Sequence, residues 1–288
     1  MPITNFITTA DNSKLYVKDW SIANNVNLGI SINTVSPVVL MSGWPLSADS
    51  WDDQAMVLAE AGHRVIAYDR RGFGRSSQPF SGYDYDTLAD DLAAVMDQTG
   101  VRDVALIGYS MGGGEVARFM SRHGGRNVIK TALIASVVPF MLKADDNPQG
   151  TEQGIFDKMR QGMLDDRAKF FSGFFKDFFG VSMMSHSVSQ ELLDWARSMA
   201  LQASLKATLE CAKSFASTDF RPDLAAFTRP TLIIHGTEDK IVPIDASGRA
   251  AAAAIKQSVL IEYQGAPHGL FATEKLRLSN DLLAFLHT

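Results

Sequence analysis

Cysteine is scarce in this chain: Cys211 is the one among 288 residues. That excludes an internal disulfide and leaves no Cys-x-x-Cys pair for a metal or redox site. Neither sign of charge dominates, since 27 Lys and Arg against 32 Asp and Glu leave a net charge of −5. With no block of like charges, nucleic acid and anionic membranes are not expected partners. Long apolar runs are missing too. The longest, residues 132–142, is interrupted by Pro139 and falls far short of the ~20 residues of a membrane span. The amino terminus, Met1-Pro2-Ile3-Thr4-Asn5-Phe6, has no basic segment leading into an apolar run and does not read as a signal peptide. Repeats and low-complexity tracts are absent. What remains is an ordinary globular composition, 46% apolar and 20% charged, expected in the cytoplasm. A chain of this length buries roughly three quarters of its unfolded surface, so no disulfide or metal is needed to hold a core.

The first residues read as strands. Stretches 3–8 and 14–20 flank the turn-rich Ala10-Asp11-Asn12-Ser13 and predict a hairpin. Residues 23–36 are Asn-rich and read as a long loop or an extra hairpin. Val38-Val39-Leu40-Met41 is a continuous apolar run, as expected of a strand buried on both faces. From there, predicted helices 50–61, 86–98, 112–123, 245–256 and 274–286 alternate with strands 64–68, 104–107, 130–135, 231–235 and 259–263. The pattern predicts an α/β fold with a mostly parallel sheet covered by helices on both faces. Residues 139–223 break it. They hold no convincing strand, and Phe170, Phe171, Phe174, Phe175 and Phe178 fall on helical spacing. The expectation is a core of residues 1–138 and 224–288 with a helical cap, 139–223, inserted between core strands. The Phe stripe is expected both to bury the cap and to line an apolar pocket, with Phe174 and Phe178 as candidates beside Trp44.

Gly108-Tyr109-Ser110-Met111-Gly112 is a Gly-x-Ser-x-Gly pentapeptide between an apolar strand and a predicted helix. That strand–turn–helix is the context a nucleophile elbow requires, and it projects Ser110 at the carboxyl end of the sheet. A serine hydroxyl needs a base, and the base needs an orienting carboxylate. Of six histidines, His63 and His123 read as helix-end residues, His235 as a strand-end residue making a structural hydrogen bond, His186 as part of the cap and His287 as terminal. His268 follows the last strand in Gly265-Ala266-Pro267-His268-Gly269 and so projects from the same edge. Asp239, after the preceding strand, is the candidate acid; Glu238 is its solvated neighbour and Asp245 reads as the cap of the next helix. For the oxyanion, Met111 N–H is one expected donor and Trp44 N–H, in Ser42-Gly43-Trp44-Pro45, the other.

The chain resembles the α/β-hydrolase superfamily, and within it the aryl esterases and cofactor-free bacterial haloperoxidases, or perhydrolases. The resemblance rests on Gly43 to Trp51, Tyr68 to Ser77, Gly108 to Arg118, Val242 to Gly248, Ala266 to Gly269 and Asp281 to Phe285. It implies Ser110, Asp239 and His268 as a triad, and Trp44 and Met111 as oxyanion donors. It also implies an enzyme without haem, flavin or metal, acting on a small-molecule ester and able to use hydrogen peroxide, among relatives that are often homo-oligomers. Two departures stand out. Relatives usually carry histidine before the oxyanion glycine, where it helps hold the loop; here the residue is Ser42. The 23–36 stretch is longer than is usual. The expected function is therefore a serine esterase for small to medium apolar or aryl esters, with perhydrolase activity. The alternative is a ligand-binding or receptor-like protein on the same fold with little turnover. A dinucleotide-binding reading fails on spacing, because Gly108, Gly112 and Gly113 do not form Gly-x-Gly-x-x-Gly.

Overall fold

In the computed structural model, which describes residues 5–20, 35–183 and 185–288, the chain opens with β1 (Phe6–Thr8) and β2 (Lys14–Trp20). They pair antiparallel around a turn in which Thr9 N–H donates to Ser13 O. The beginning of the predicted first strand and the stretch 23–34 lie outside the described residues. Six more strands follow: β3 (Val38–Met41), β4 (Val65–Tyr68), β5 (Val104–Tyr109), β6 (Val128–Ile134), β7 (Thr231–Gly236) and β8 (Ser258–Tyr263). They form one eight-stranded sheet in the order β1-β2-β4-β3-β5-β6-β7-β8. Every pair from β4 onward in that order is parallel, while β2 meets β4 antiparallel. All residues of β3, β4, β5 and β7 are buried. Their unbroken apolar character follows from helices covering both faces, which leaves no water-facing side to alternate with.

The helices of this layer are α1 (Asp52–Glu60), α2 (Tyr85–Thr99), α3 (Met111–Arg122) and, after β7, α7 (Gly248–Ala254), α8 (Leu270–Thr273) and α9 (Lys275–His287). Asp84 caps α2 by accepting the Thr87 N–H, and Gly100 ends it at φ 70°. The predicted helix 245–256 is shorter than expected. Ile244–Ala246 is a 3-10 turn, and Ser247 at φ −128°, ψ −90° separates it from α7. Asp245 therefore lies before the break and does not cap α7; it pairs with Arg249 at 2.8 Å. The predicted terminal helix is α9, and the short α8 precedes it.

Between β6 and β7 come α4 (Gln153–Phe179), α5 (Gln190–Gln202) and α6 (Leu205–Ser217). Ser189 and Ser204 cap the last two through their side chains. α4 is broken at Asp166, at φ −158° and ψ 89°, where the Asp166 carboxylate accepts the Lys169 N–H and starts the second arm. Phe171, Phe175, Phe178 and Phe179 are fully buried and belong to the same continuous apolar cluster as the strands. Each such ring contributes about 1.5–3 kcal/mol of burial. The inserted helices therefore share the sheet's core.

Candidate active site

The site begins with the turn between β5 and α3. Ser110 adopts φ 53°, ψ −118°, a conformation that costs a non-glycine residue about 1–3 kcal/mol and persists only where the surroundings enforce it. Here the surroundings are tight. A Cβ on Gly108 would lie 2.4 Å from the Gly112 carbonyl oxygen, and one on Gly112 would lie 2.4 Å from that of Met41. The crossing of strand and helix leaves no room at either glycine. Ser110 N–H donates to Ile134 O at 2.8 Å, which fixes the turn to β6.

His268 lies beyond β8, and its Nε2 is 3.0 Å from Ser110 Oγ. Its Nδ1 is 2.6 Å from Asp239 Oδ2. A carboxylate only accepts, so the proton sits on Nδ1 and leaves Nε2 free to accept from the serine. Asp239 is held in turn. Its Oδ1 accepts the Ile241 and Val242 N–H groups at 2.9 and 2.8 Å. Burial alone would raise the Asp239 carboxyl, but the His268 and His235 rings beside it outweigh that and hold its pKa well below the usual carboxylate range. Ser110, Asp239 and His268 are all buried. The histidine is wedged from behind: Tyr109 O–H donates to His268 O at 2.5 Å, and the Phe178 ring stands edge-on to the imidazole at 4.8 Å.

The structure thus brings Ser110, His268 and Asp239 into one hydrogen-bonded line, which His235 flanks with its Nε2 3.3 Å from Asp239 Oδ2. His235 Nε2 faces Val242 O at 2.9 Å. His123, at the end of α3, pairs with Asp90 at 2.8 Å. His63 does not act on a helix end; its Nδ1 meets Ser36 O at 2.7 Å and its ring stacks on His287.

Beside the serine, a Cβ on Gly43 would lie 3.0 Å from Ser110 Cβ, so the loop after β3 rests directly on the turn. Neither Trp44 N–H nor Met111 N–H has an acceptor among the described residues. Met111 is the first residue of α3, where backbone donors have no partner within the helix. The Trp44 side chain leaves the loop in the other direction: its indole N–H donates to Thr208 O of α6 at 3.1 Å, and its ring meets Phe171, Phe174 and Phe215.

A cavity of about 860 Å³ opens onto Ser110 and is lined by Trp44, Met141, Phe156, Phe170, Phe174 and Phe215 among others. Phe178 is a correction. Expected in the pocket wall, it is fully buried on the far side of the Phe cluster, against His268, Tyr109 and Phe271. Helical spacing assigns a residue to the inward face but does not say which inward neighbour it meets. Sequence reading also passed over Arg70 and Glu115, a buried ion pair beside the loop after β3. Both lie inside stretches that carry the resemblance, which was the available signal. Among the described residues, no cluster of three or more His, Cys, Asp or Glu could hold a metal ion, and no helix is long and apolar enough to cross a membrane.

Comparison with known proteins agrees with this architecture. Residues 36–275 match the α/β hydrolase fold family. The non-heme chloroperoxidase CPO-A1 of Kitasatospora aureofaciens is 38% identical over 289 residues, spanning 100% of both chains. The bifunctional esterase/perhydrolase DCH of Acinetobacter calcoaceticus is 36% identical, over 98% of this chain and 99% of that one. Among solved structures, a bromoperoxidase from Bacillus anthracis matches with a TM-score of 0.91 at 40% identity, covering 99% of this chain and 100% of that one.

Proposed function

The chain belongs to the α/β-hydrolase family, in its branch of non-heme haloperoxidases and esterases, and from that premise we propose that it is a serine carboxylic-ester hydrolase with perhydrolase activity. The observation that carries the reading is the line Ser110–His268–Asp239, whose serine opens onto a largely apolar cavity. In the proposed mechanism Ser110 Oγ attacks the ester carbonyl while His268 Nε2 takes its proton, and Asp239 holds the imidazole in the tautomer that can accept. Trp44 and Met111 N–H groups receive the oxyanion. His268 then gives the proton to the leaving alcohol, and a water, deprotonated by His268, releases the acid from the acyl-enzyme. When hydrogen peroxide replaces that water, the product is a peracid, which oxidises halide to hypohalous acid and returns the carboxylic acid. Haem, flavin and metal have no part in this scheme.

The aromatic lining from residues 139–223, which we take as a cap over the core of 1–138 and 224–288, favours apolar or aryl esters. The proposal extends to a homo-oligomer acting in the cytoplasm, which light scattering and cell fractionation test. No observation favours the ligand-binding alternative. The deciding experiment is p-nitrophenyl acetate hydrolysis by wild type and Ser110→Ala, with acetate, peroxide and bromide run alongside. The expected result is a burst of nitrophenol and peroxide-dependent bromination in wild type, both lost in the variant. Hydrolysis without bromination would remove the perhydrolase half. Equal inertness of both proteins towards short and aryl esters would overturn the reading and favour the binding protein.

A further inference from the structure

The two expected oxyanion donors sit on different pieces of chain, Trp44 on the loop after β3 and Met111 at the start of α3. Their spacing is therefore a tertiary property, and something must fix it. Arg70, 2% exposed, follows β4 and reaches both pieces. Its Nη2 donates to Ser42 O at 2.6 Å, immediately before Gly43 and Trp44. Its Nε donates at 2.6 Å to Glu115 Oε1, one helical turn after Met111 on α3. The other oxygen of Glu115 accepts the Tyr68 O–H at 2.5 Å. Glu115 is fully buried, which pushes its pKa up against the opposing pull of Arg70 and Tyr68.

This arrangement is poorly explained by stability. Removing two charges from water is costly, and an apolar set of the same volume often serves a fold as well or better. What an apolar set cannot do is aim. A guanidinium is a rigid fork whose donors leave in fixed directions; here Nε and Nη2 both meet Glu115 Oε1 on the nucleophile helix, and Nη2 also reaches Ser42 O of the oxyanion loop. The buried Ser42 Oγ has no partner among the described residues, and the Trp44 indole bond to Thr208 O ties the loop to α6 and not to the nucleophile helix.

We propose that Arg70 is a positioning residue: through Glu115 it ties the Ser42 carbonyl to α3 and so sets the distance between the Trp44 and Met111 N–H groups. The inference rests on the esterase reading, in which those groups bind the oxyanion. It explains how a chain with serine at position 42 keeps the loop in register.

The test uses two variants of the full chain. Arg70→Met/Glu115→Met removes both charges and leaves neither orphaned; Arg70→Lys keeps the charge but loses the fork. With p-nitrophenyl acetate, each is expected to lose about 10- to 100-fold in kcat, as for a misaimed oxyanion donor, with KM within about twofold. The Ki of phenylboronic acid, whose tetrahedral adduct on serine places an oxygen in the oxyanion site, should rise by the same factor. A folded variant with wild-type kcat and boronate affinity overturns the proposal, and if the double variant does not fold, Arg70→Lys decides by the same two readouts. Ser110→Ala run in parallel separates the failures. If it is inactive while the Arg70 variants match wild type, only the positioning role falls; if it retains hydrolysis, the esterase reading falls with it.

Discussion

The sheet edge and the helical layer above it face one cavity, yet they hold their side chains by opposite means. At the edge every group that bears chemistry is fixed by directional bonds: Asp239 by two backbone N–H groups, His268 by Asp239 and a tyrosine, Ser110 by its strained backbone. In the helical layer the rings of Phe171, Phe174, Phe175 and Phe178 are held by ring contacts, as tilted and edge-to-face neighbours of one another 5.5–6.2 Å apart, with Trp44 against the first two and His268 against the last. Hydrogen bonds define position to a few tenths of an ångström, which a proton transfer needs. Ring contacts define volume, which an apolar substrate needs. Reactivity and selectivity should therefore respond to different mutations.

Asp239→Asn should give the largest effect. The wrong tautomer of His268 would lower kcat by about 10³- to 10⁴-fold with KM little changed, as steady-state kinetics on a short ester would show. Phe178→Ala tests the one ring that belongs to both regions. It should destabilise the fold by about 3–5 kcal/mol in urea unfolding and also lower kcat, because the imidazole loses its edge-on neighbour. An unchanged kcat in the folded variant would make Phe178 part of the helical layer alone. Phe174→Ala should leave p-nitrophenyl acetate turnover near wild type. It should shift the ratio of kcat/KM between bulky aryl and acetyl esters by about 10-fold, and a parallel loss on all substrates would erase the division of labour.

The smallest expected effect lies away from both regions, at Asp91, which burial pushes up to about 6 despite its contacts with Arg71. A carboxyl raised in the folded state binds its proton more tightly there than in the unfolded chain. Its contribution to stability is therefore greatest below the ordinary carboxylate range and is lost as pH rises towards about 6, then flat above it. Asp91→Asn should flatten that portion of the pH–stability curve while leaving kcat/KM untouched at neutral pH.

The same contrast explains what could be read in advance. Gly108 to Gly112 is legible because a strained turn tolerates few residues, and the chain order Ser110, Asp239, His268 because parallel strands deliver their ends to one edge. Strand and helix alternation is legible for the reason that β3, β5 and β7 are buried on both faces. The neighbours of Phe178 are not, since helical periodicity gives a face without a partner. Nor is the break in α4, where Asp166 stands with neither proline nor glycine beside it. Arg70 and Glu115 are 45 positions apart and meet only when β4 and α3 are already in place; charge pairing across such a gap leaves no local pattern. Asp245 looked like a cap because its type suits one, and the backbone at Ser247 decided otherwise.

The break at Asp166 has a further consequence. It divides α4 into arms 153–165 and 167–179, and both arms line the cavity, with Phe156 and Met159 on one and Phe170 and Phe174 on the other. Lengthening, shortening or resurfacing either arm would regrade the aperture without displacing a residue of β5, β7 or the loop bearing His268. Inheritance can thus vary diet and preserve reactivity in separate stretches of one gene, so descendants that differ in what they admit need not differ in how they react.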